Sequence, residues 1–233
     1  MFADVHSHIL FGIDDGARSL KETQQLLRGL HQSGITHLAF TPHYYPYKGS
    51  IASFVRRRSG AFQALSALPE AEKFVFSLGA EVYLSETLLN NSTLAPLCYE
   101  GTRYMLTELE YSSYFTDAMK YRLLRLIEDF DVIPVLAHID RYPFLWKNPH
   151  LLEQLKEMGC CFQMNLSALQ GFFSRRHAVR LYELGFLDFL GEDVHHSALS
   201  AAEKEKLLMR AERLHKGFSK KMSLEAKSRL FVL

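Results

Sequence analysis

The sequence predicts an α/β fold, a mainly parallel sheet curled into a closed or distorted barrel with helices outside. Three observations predict it. Short β-rich apolar runs alternate with helical periods about seven times, the pattern of repeated βα units. Nearly every predicted strand ends in a histidine or a carboxylate, and the C-termini of parallel barrel strands share one face. The 233 residues are enough for one barrel with a substantial core. No linker, low-complexity stretch or clean repeat interrupts the alternation, so residues 1–233 read as a single domain.

Strands are predicted at residues 2–9, 37–41, 74–84, 104–109, 132–138 and 162–166, with a seventh reached from residues 186–191. The first helix spans about 19–33, with Ser19 as N-cap, Glu22 at the capping-box position and Gly34 as its stop. Further helices are expected at 53–68, 116–130, 149–158, 174–184 and 201–217. Pro149 suits a first helical turn, and Gly185 ends the helix before it. Residues 218–233 show no pattern that fixes their packing.

Composition excludes several classes. Hydrophobic residues are 48% and charged residues 23%, ordinary for a globular protein. A formal net charge of +1 gives no global field for nucleic acid or a membrane surface. The first residues lack a basic n-region and an apolar h-region, and no run is long enough to span a bilayer. The expected location is therefore cytoplasmic, without membrane insertion. The three cysteines, Cys98, Cys160 and Cys161, do not form a disulfide framework. A thiol nucleophile needs an arginine-ended phosphate loop, and Arg103 follows Cys98 one residue too closely for that.

The chemistry lies at the strand ends. His6 and His8 close the first, with Asp14-Asp15-Gly16 in the loop beyond. His43 closes the second, Glu81 lies in the third and Glu108 in the fourth. His138 and Arg141 follow the fifth, and Asp193 and His195 follow the seventh. Residues i and i+2 of a strand point the same way, so His6 with His8, and Asp193 with His195, can serve one site. One such histidine pair is commonly structural. Several buried histidines and carboxylates together are costly without cations. Imidazole with carboxylate suits zinc, iron or manganese better than calcium or magnesium. Five histidines and up to four carboxylates exceed one ion's needs, so two or three divalent ions are expected. Paired ions can lower the pKa of a bridging water and clamp both oxygens of a phosphate-ester displacement. His31, His150, His177 and His215 read as helix-surface residues, and His196 as a spare group beside the site.

These motifs carry a resemblance. Asp4-Val5-His6-Ser7-His8-Ile9-Leu10, followed by Gly12-Ile13-Asp14-Asp15-Gly16-Ala17, resembles the first motif of the polymerase-and-histidinol-phosphatase (PHP) superfamily. The form ending in Asp-Asp-Gly resembles its branch of bacterial manganese-dependent protein-tyrosine phosphatases of capsular and exopolysaccharide loci. Thr41-Pro42-His43, Gly79-Ala80-Glu81-Val82-Tyr83, Glu108, Ala137-His138-Ile139-Asp140-Arg141-Tyr142, Gln163-Met164-Asn165 and Asp193-Val194-His195 follow in the same order. Together they span residues 1–197.

The resemblance implies a distorted seven-stranded (β/α)7 barrel of PHP type holding two or three ions, manganese favoured and iron or zinc compatible. Carried over by position, the metal ligands are His6, His8, Asp15, His43, Glu81, Glu108, His138, Asp193 and His195. Asp14 competes with Asp15, which is preferred because it directly precedes the glycine. Arg141, His43 and Asp193 are the implied catalytic residues, and Arg141 is the phosphate-binding arginine. Tyr44, Tyr45, Tyr47 and Lys48, just after His43, are the candidate rim for an aromatic or acidic peptide, with Tyr44 and Lys48 the residues expected to bind it. The implied substrate is the phosphotyrosine-bearing tail of a bacterial tyrosine kinase, with no nucleic-acid partner. The family's second arginine, in an Arg-Pro segment after the last Asp-x-His, has no counterpart in residues 196–206. Arg175 or Arg176 is the expected substitute. The Asn-Pro that opens the family's last helix is also missing. The rival readings are a small-molecule phosphatase of the histidinol phosphate type and a non-catalytic, metal-stabilised regulatory subunit.

Overall fold

The computed structural model describes residues 2–231. Its strands are β1 (Phe2–Asp4), β2 (Ile35–Phe40), β3 (His43–Tyr44), β4 (Val75–Leu78), β5 (Glu81–Tyr83), β6 (Tyr104–Glu108), β7 (Ile133–Leu136), β8 (Cys161–Asn165) and β9 (Phe189–Gly191). All pairings are parallel, in the orders β1-β2-β4 and β3-β5-β6-β7-β8-β9. A parallel bridge from Ser7 to Val194 draws the two ends together, supported by His8 N–H on Val194 O at 2.7 Å and Asp193 N–H on His6 O at 2.9 Å. The result is a curled, partly closed parallel sheet with its helices outside.

The second predicted strand, 37–41, ends near its expected place at Thr41-Pro42, where proline has no N–H for a ladder, and a further short strand, β3, follows it. One predicted strand breaks in the middle. The third splits into β4 and β5 at Gly79-Ala80. The first stops at Asp4 rather than residue 9. Beyond it the Ser7 backbone is bound by the Thr41 side chain and backbone instead of a regular ladder.

The helices are α1 (Leu20–Gln32), α2 (Ile51–Ser66), α3 (Asp117–Glu128), α4 (Pro143–Trp146), α5 (Pro149–Glu157), α6 (Phe172–Glu183), α7 (Ala201–Glu212) and α8 (Phe218–Leu230). Ser19 caps α1 through Glu22 N–H, but the Glu22 carboxylate reaches Arg18 N–H, so the reciprocal half of the box is absent. Gly34, at φ +84°, turns the chain into β2. Leu26, Leu27 and Leu30 of α1, Leu123 and Leu126 of α3, and Leu152 and Leu155 of α5 bury one face against the sheet. Each such leucine contributes roughly 1.5–3 kcal/mol.

A second cluster joins Ala3, Ala39, Leu106, Val135, Cys161 and Phe189 from six strands with Ala226, Leu230 and Phe231 of the C-terminal segment. The region without a sequence pattern is therefore a helix, α8, packed at the start of the strands. Arg229 anchors it to Tyr104 Oη and Asp188 Oδ1, each at 3.1 Å. The opposite end, where the strands finish, is left to polar residues.

Candidate metal centre

Five segments bring nitrogen and carboxylate atoms together around Glu81. The Nε2 atoms of His6 and His8 lie 3.0 Å apart. Each is 3.1 Å from Glu81 Oε2 and 3.4 Å from Asp193 Oδ1. His43 Nδ1 lies 3.1 Å from Glu81 Oε2, and His138 Nε2 lies 2.7 Å from Glu81 Oε1. Asp15 Oδ1 stands 3.7 Å from His43 Nε2 and 3.6 Å from His195 Nε2. Glu108 joins His43 and Glu81 in a further group whose ligand atoms lie within 4.8 Å of one another. All nine residues expected from the sequence thus meet at one mouth.

Side chains behind the cluster aim its nitrogens. Gln163 Oε1 accepts from His138 N–H at 2.7 Å, which fixes it as the acceptor end, and it faces His6 Nδ1 at 3.2 Å. His6 therefore carries its proton on Nδ1. Asp14 Oδ2 does the same for His8 Nδ1 at 2.7 Å and also accepts from His43 N–H. With both Nδ1 atoms protonated, two Nε2 lone pairs face each other across 3.0 Å. Only a proton or a metal cation stabilises that arrangement. Glu108 Oε2 is buried without a hydrogen-bond partner in the same space. The donor set fits divalent metal ions.

The electrostatics agree. Burial would lower the His6 and His8 pKa values, but Glu81, Asp193 and, for His8, Asp14 hold both above the ordinary histidine value. Burial opposes ionisation of Glu81 and Asp193 as well, and the facing histidines overcome it, leaving both carboxyls low. Without metal, protons on the imidazoles stand where cations belong. Glu108 has no such partner. Burial, then the Glu81 charge, pushes it up to about 7.

The backbone is strained here. Among the described residues three non-glycine residues have positive φ, and two belong to the cluster, His138 at +33° and Asp193 at +56°. Such strain persists where the surroundings over-determine it, commonly at functional sites. Gly16 permits the Asp14-Asp15 turn, because a Cβ there would lie 1.8 Å from His8 O.

Asp14 and Asp15 separate cleanly. Asp14 orients His8 from behind, while the exposed Asp15 faces His43 and His195. Arg141 overhangs the mouth, half exposed, and pairs with Asp193 Oδ2. Tyr44 departs from its expected place on the rim. It is buried, its ring packs on Phe54, and its hydroxyl donates to Gly49 O. The aromatic rim is formed by the exposed Tyr47 and the partly buried Tyr45, which contact Tyr83. Lys48 lies 4.1 Å over the Tyr45 ring, at the rim. His196 turns away from the cluster to Glu22 at 2.9 Å.

Arg175 and Arg176 do not reach the cluster's cavity. They line a separate groove with Arg210 and Arg213. Gln163 and Asn165, read only as motif matches, turn out to be supports, with Asn165 Nδ2 donating to Asp193 Oδ2 at 3.2 Å. Their alternation on one strand leading to the mouth was the available signal.

The fold and donor set define a metal-binding protein of the PHP type. The family model described as "Capsular polysaccharide synthesis, CpsB/CapC" matches residues 2–230, and the chain belongs to that family. It is 29% identical over 165 residues to the tyrosine-protein phosphatase CpsB of Streptococcus pneumoniae, covering 70% of this chain and 66% of the relative. It is 26% identical over 202 residues to the putative tyrosine-protein phosphatase CapC of Staphylococcus aureus, covering 82% of this chain and 76% of the relative. Among solved structures, one from work on YwqE of Bacillus subtilis and CpsB of Streptococcus pneumoniae, described as metal-dependent tyrosine phosphatases, superposes with a TM-score of 0.78. That match has 22% identity and covers 98% of this chain and 94% of the other.

Proposed function

We propose that this protein is a metal-dependent protein-tyrosine phosphatase. Its substrate is the phosphotyrosine-bearing tail of a bacterial tyrosine kinase that controls capsular or exopolysaccharide synthesis. The observation that carries this reading is the meeting of nine donor residues at one mouth, beneath Arg141 and beside an aromatic rim. The chain's membership of the CpsB/CapC family supports it. The nine short strands read as seven barrel staves, two of them broken. The donor count favours two or three ions, and the family resemblance favours manganese.

Such ions, when bound, polarise the phosphoryl group and lower the pKa of water. The chain's own residues do the rest. Gln163 and Asp14 hold His6 and His8 in one tautomer. Asn165 and Arg141 fix Asp193. The outer guanidinium donors of Arg141 grip two phosphoryl oxygens. Tyr45, Tyr47 and Tyr83 receive the substrate ring. A departing tyrosinate, with a pKa near ~10, needs less help from an acid than an alkoxide does.

The test is one assay series with added manganese, comparing a phosphotyrosine peptide, a phosphoserine peptide and histidinol phosphate, each repeated with chelator. The phosphotyrosine peptide is expected to react fastest, and only with metal. Preference for histidinol phosphate would move the reading to small-molecule hydrolysis. No turnover of any substrate by metal-loaded protein would move it to a regulatory role.

A further inference from the structure

A cavity of about 490 Å³ opens beside Asp15 and His43, continuous with the metal centre. Its wall also includes Lys48, Ser50, Ser53, Phe54 and Arg57. The acids at its edge are already engaged. Asp14 holds His8, His43 N–H and Gly16 N–H, and Asp15 faces the two cluster histidines. What remains is cationic. Lys48 and Arg57 have no carboxylate within ion-pair distance among the described residues. Lys48 rests on the Tyr45 ring, and Arg57 donates once, to Ile13 O at 3.3 Å. The start of α2 is not needed for this character, because Ser50 already caps it through Ser53 N–H.

Tyr45 divides this cavity from the aromatic rim. Its ring stacks on His43, with centroids 5.2 Å apart, and contacts Tyr47 and Tyr83. A phosphotyrosine whose phosphoryl group lies at the cluster and whose ring lies on that rim sends its flanking residues past Lys48 and Arg57. We infer that the cavity is a subsite for a carboxylate side chain of the substrate peptide, flanking the phosphotyrosine and held by Arg57 and Lys48. This rests on the phosphotyrosine reading above. Two cations without a carboxylate partner among the described residues complement one peptide carboxylate, and Arg57 supplies a planar fork suited to it. Salt screens the contact, since both side chains are exposed.

The experiment walks a single glutamate through each position flanking phosphotyrosine in an otherwise neutral peptide, with glutamine at the same position as its pair. The ratio of kcat/KM within each pair is independent of the amount of folded enzyme. In the wild type, one or two positions should favour glutamate by about tenfold. In Arg57→Gln that ratio should fall to near unity, and in Arg57→Glu a lysine peptide should become the preferred one. Anisotropy of a labelled phosphonate peptide should give the same ranking without turnover. Equal rates at every position in the wild type would overturn the subsite and leave the phosphatase reading standing. A ratio that survives in both Arg57→Gln and Lys48→Gln would also overturn it. Failure to turn over any phosphotyrosine peptide, with a small phosphomonoester still hydrolysed, would remove both readings.

Discussion

Arg141 and His8 both contact the Asp193 carboxylate but belong to different tasks. Arg141 has only donors and reaches the cluster through Asp193 Oδ2, so it cannot ligate a cation. Arg141→Ala should keep its metal and lose about one to two decades of kcat/KM on a phosphotyrosine peptide. His8→Ala should lose metal itself, as read by elemental analysis. Full activity in Arg141→Ala would make that residue a bystander. Asp14 gives a subtler case, because it fixes the His8 tautomer from behind. Asp14→Ala should weaken metal binding about 10- to 100-fold by calorimetry, the usual cost of losing such a partner. The sign of the pH dependence follows from Glu108. Raised to about 7 without metal, it must lose a proton for a cation to bind, as must the elevated His6 and His8. Metal affinity should therefore rise with pH through about 7, with protons released on binding. Affinity that is flat between pH 6 and 8 would contradict this. Activity should meanwhile survive thiol alkylation, since all three cysteines are buried and burial pushes Cys98 and Cys160 up to about 12.

At the scale of elements, what could be read from the sequence was whatever had a local cause. The Ser19 cap, the Gly34 stop and the amphipathic stripe of α1 are local, and the helix lies within two residues of its expected ends. The convergence of His6 and His8 was legible because the i, i+2 spacing puts them side by side once the chain is extended. The break between β4 and β5 was less visible, because the β-rich run from Phe74 to Leu84 continues across Gly79-Ala80. Helix α8 was hidden for another reason. Its residues are buried by the ends of six strands far away in sequence, so its own pattern shows little amphipathic contrast. Tyr44 and Tyr45 were indistinguishable for the same reason, since only the contact with Phe54 decides which one turns inward. The closure of the sheet also depends on a distant fit. A Cβ on Gly191 would meet His6 Cβ at 2.6 Å. Gly191→Ala should push β9 away from His6 and lower metal occupancy, while helix content by circular dichroism stays near wild type.

Across the whole molecule, the closure is locked by charges that the reaction does not use. Lys204 of α7 is 2% exposed and pairs with the buried Glu192 carboxylate, while its Nζ donates to Ser33 Oγ at 2.7 Å. Glu192 directly precedes Asp193, and its N–H donates to Asp4 Oδ1, which also accepts from His6 N–H. One lysine thus ties the end of α1 and, through Glu192, the first strand to the segment carrying Asp193 and His195. Asp4 is itself buried with Oδ2 unpaired. Burial, then the Glu192 charge, raises it to about 7, against which Lys204 pulls downward. Lys204→Met removes the cation and leaves two buried carboxylates side by side. Breaking one partner of a buried pair costs roughly 3–5 kcal/mol, or about 6–20 °C in Tm for a chain of this size. Asp4 binds its proton more tightly folded than unfolded, so its contribution is present at low pH and lost as pH rises through about 7. Without Lys204 the folded-state affinity for that proton rises further, so the variant's deficit should be larger at pH 8 than at pH 6. Replacing both members, as Lys204→Met with Glu192→Leu, should recover much of the loss, because an apolar pair of similar volume avoids the desolvation of the ions. Thermal melts of wild type, single and double variants at the two pH values carry the test. A single variant that melts with the wild type at pH 8 would show that the buried pair does not hold the sheet closed.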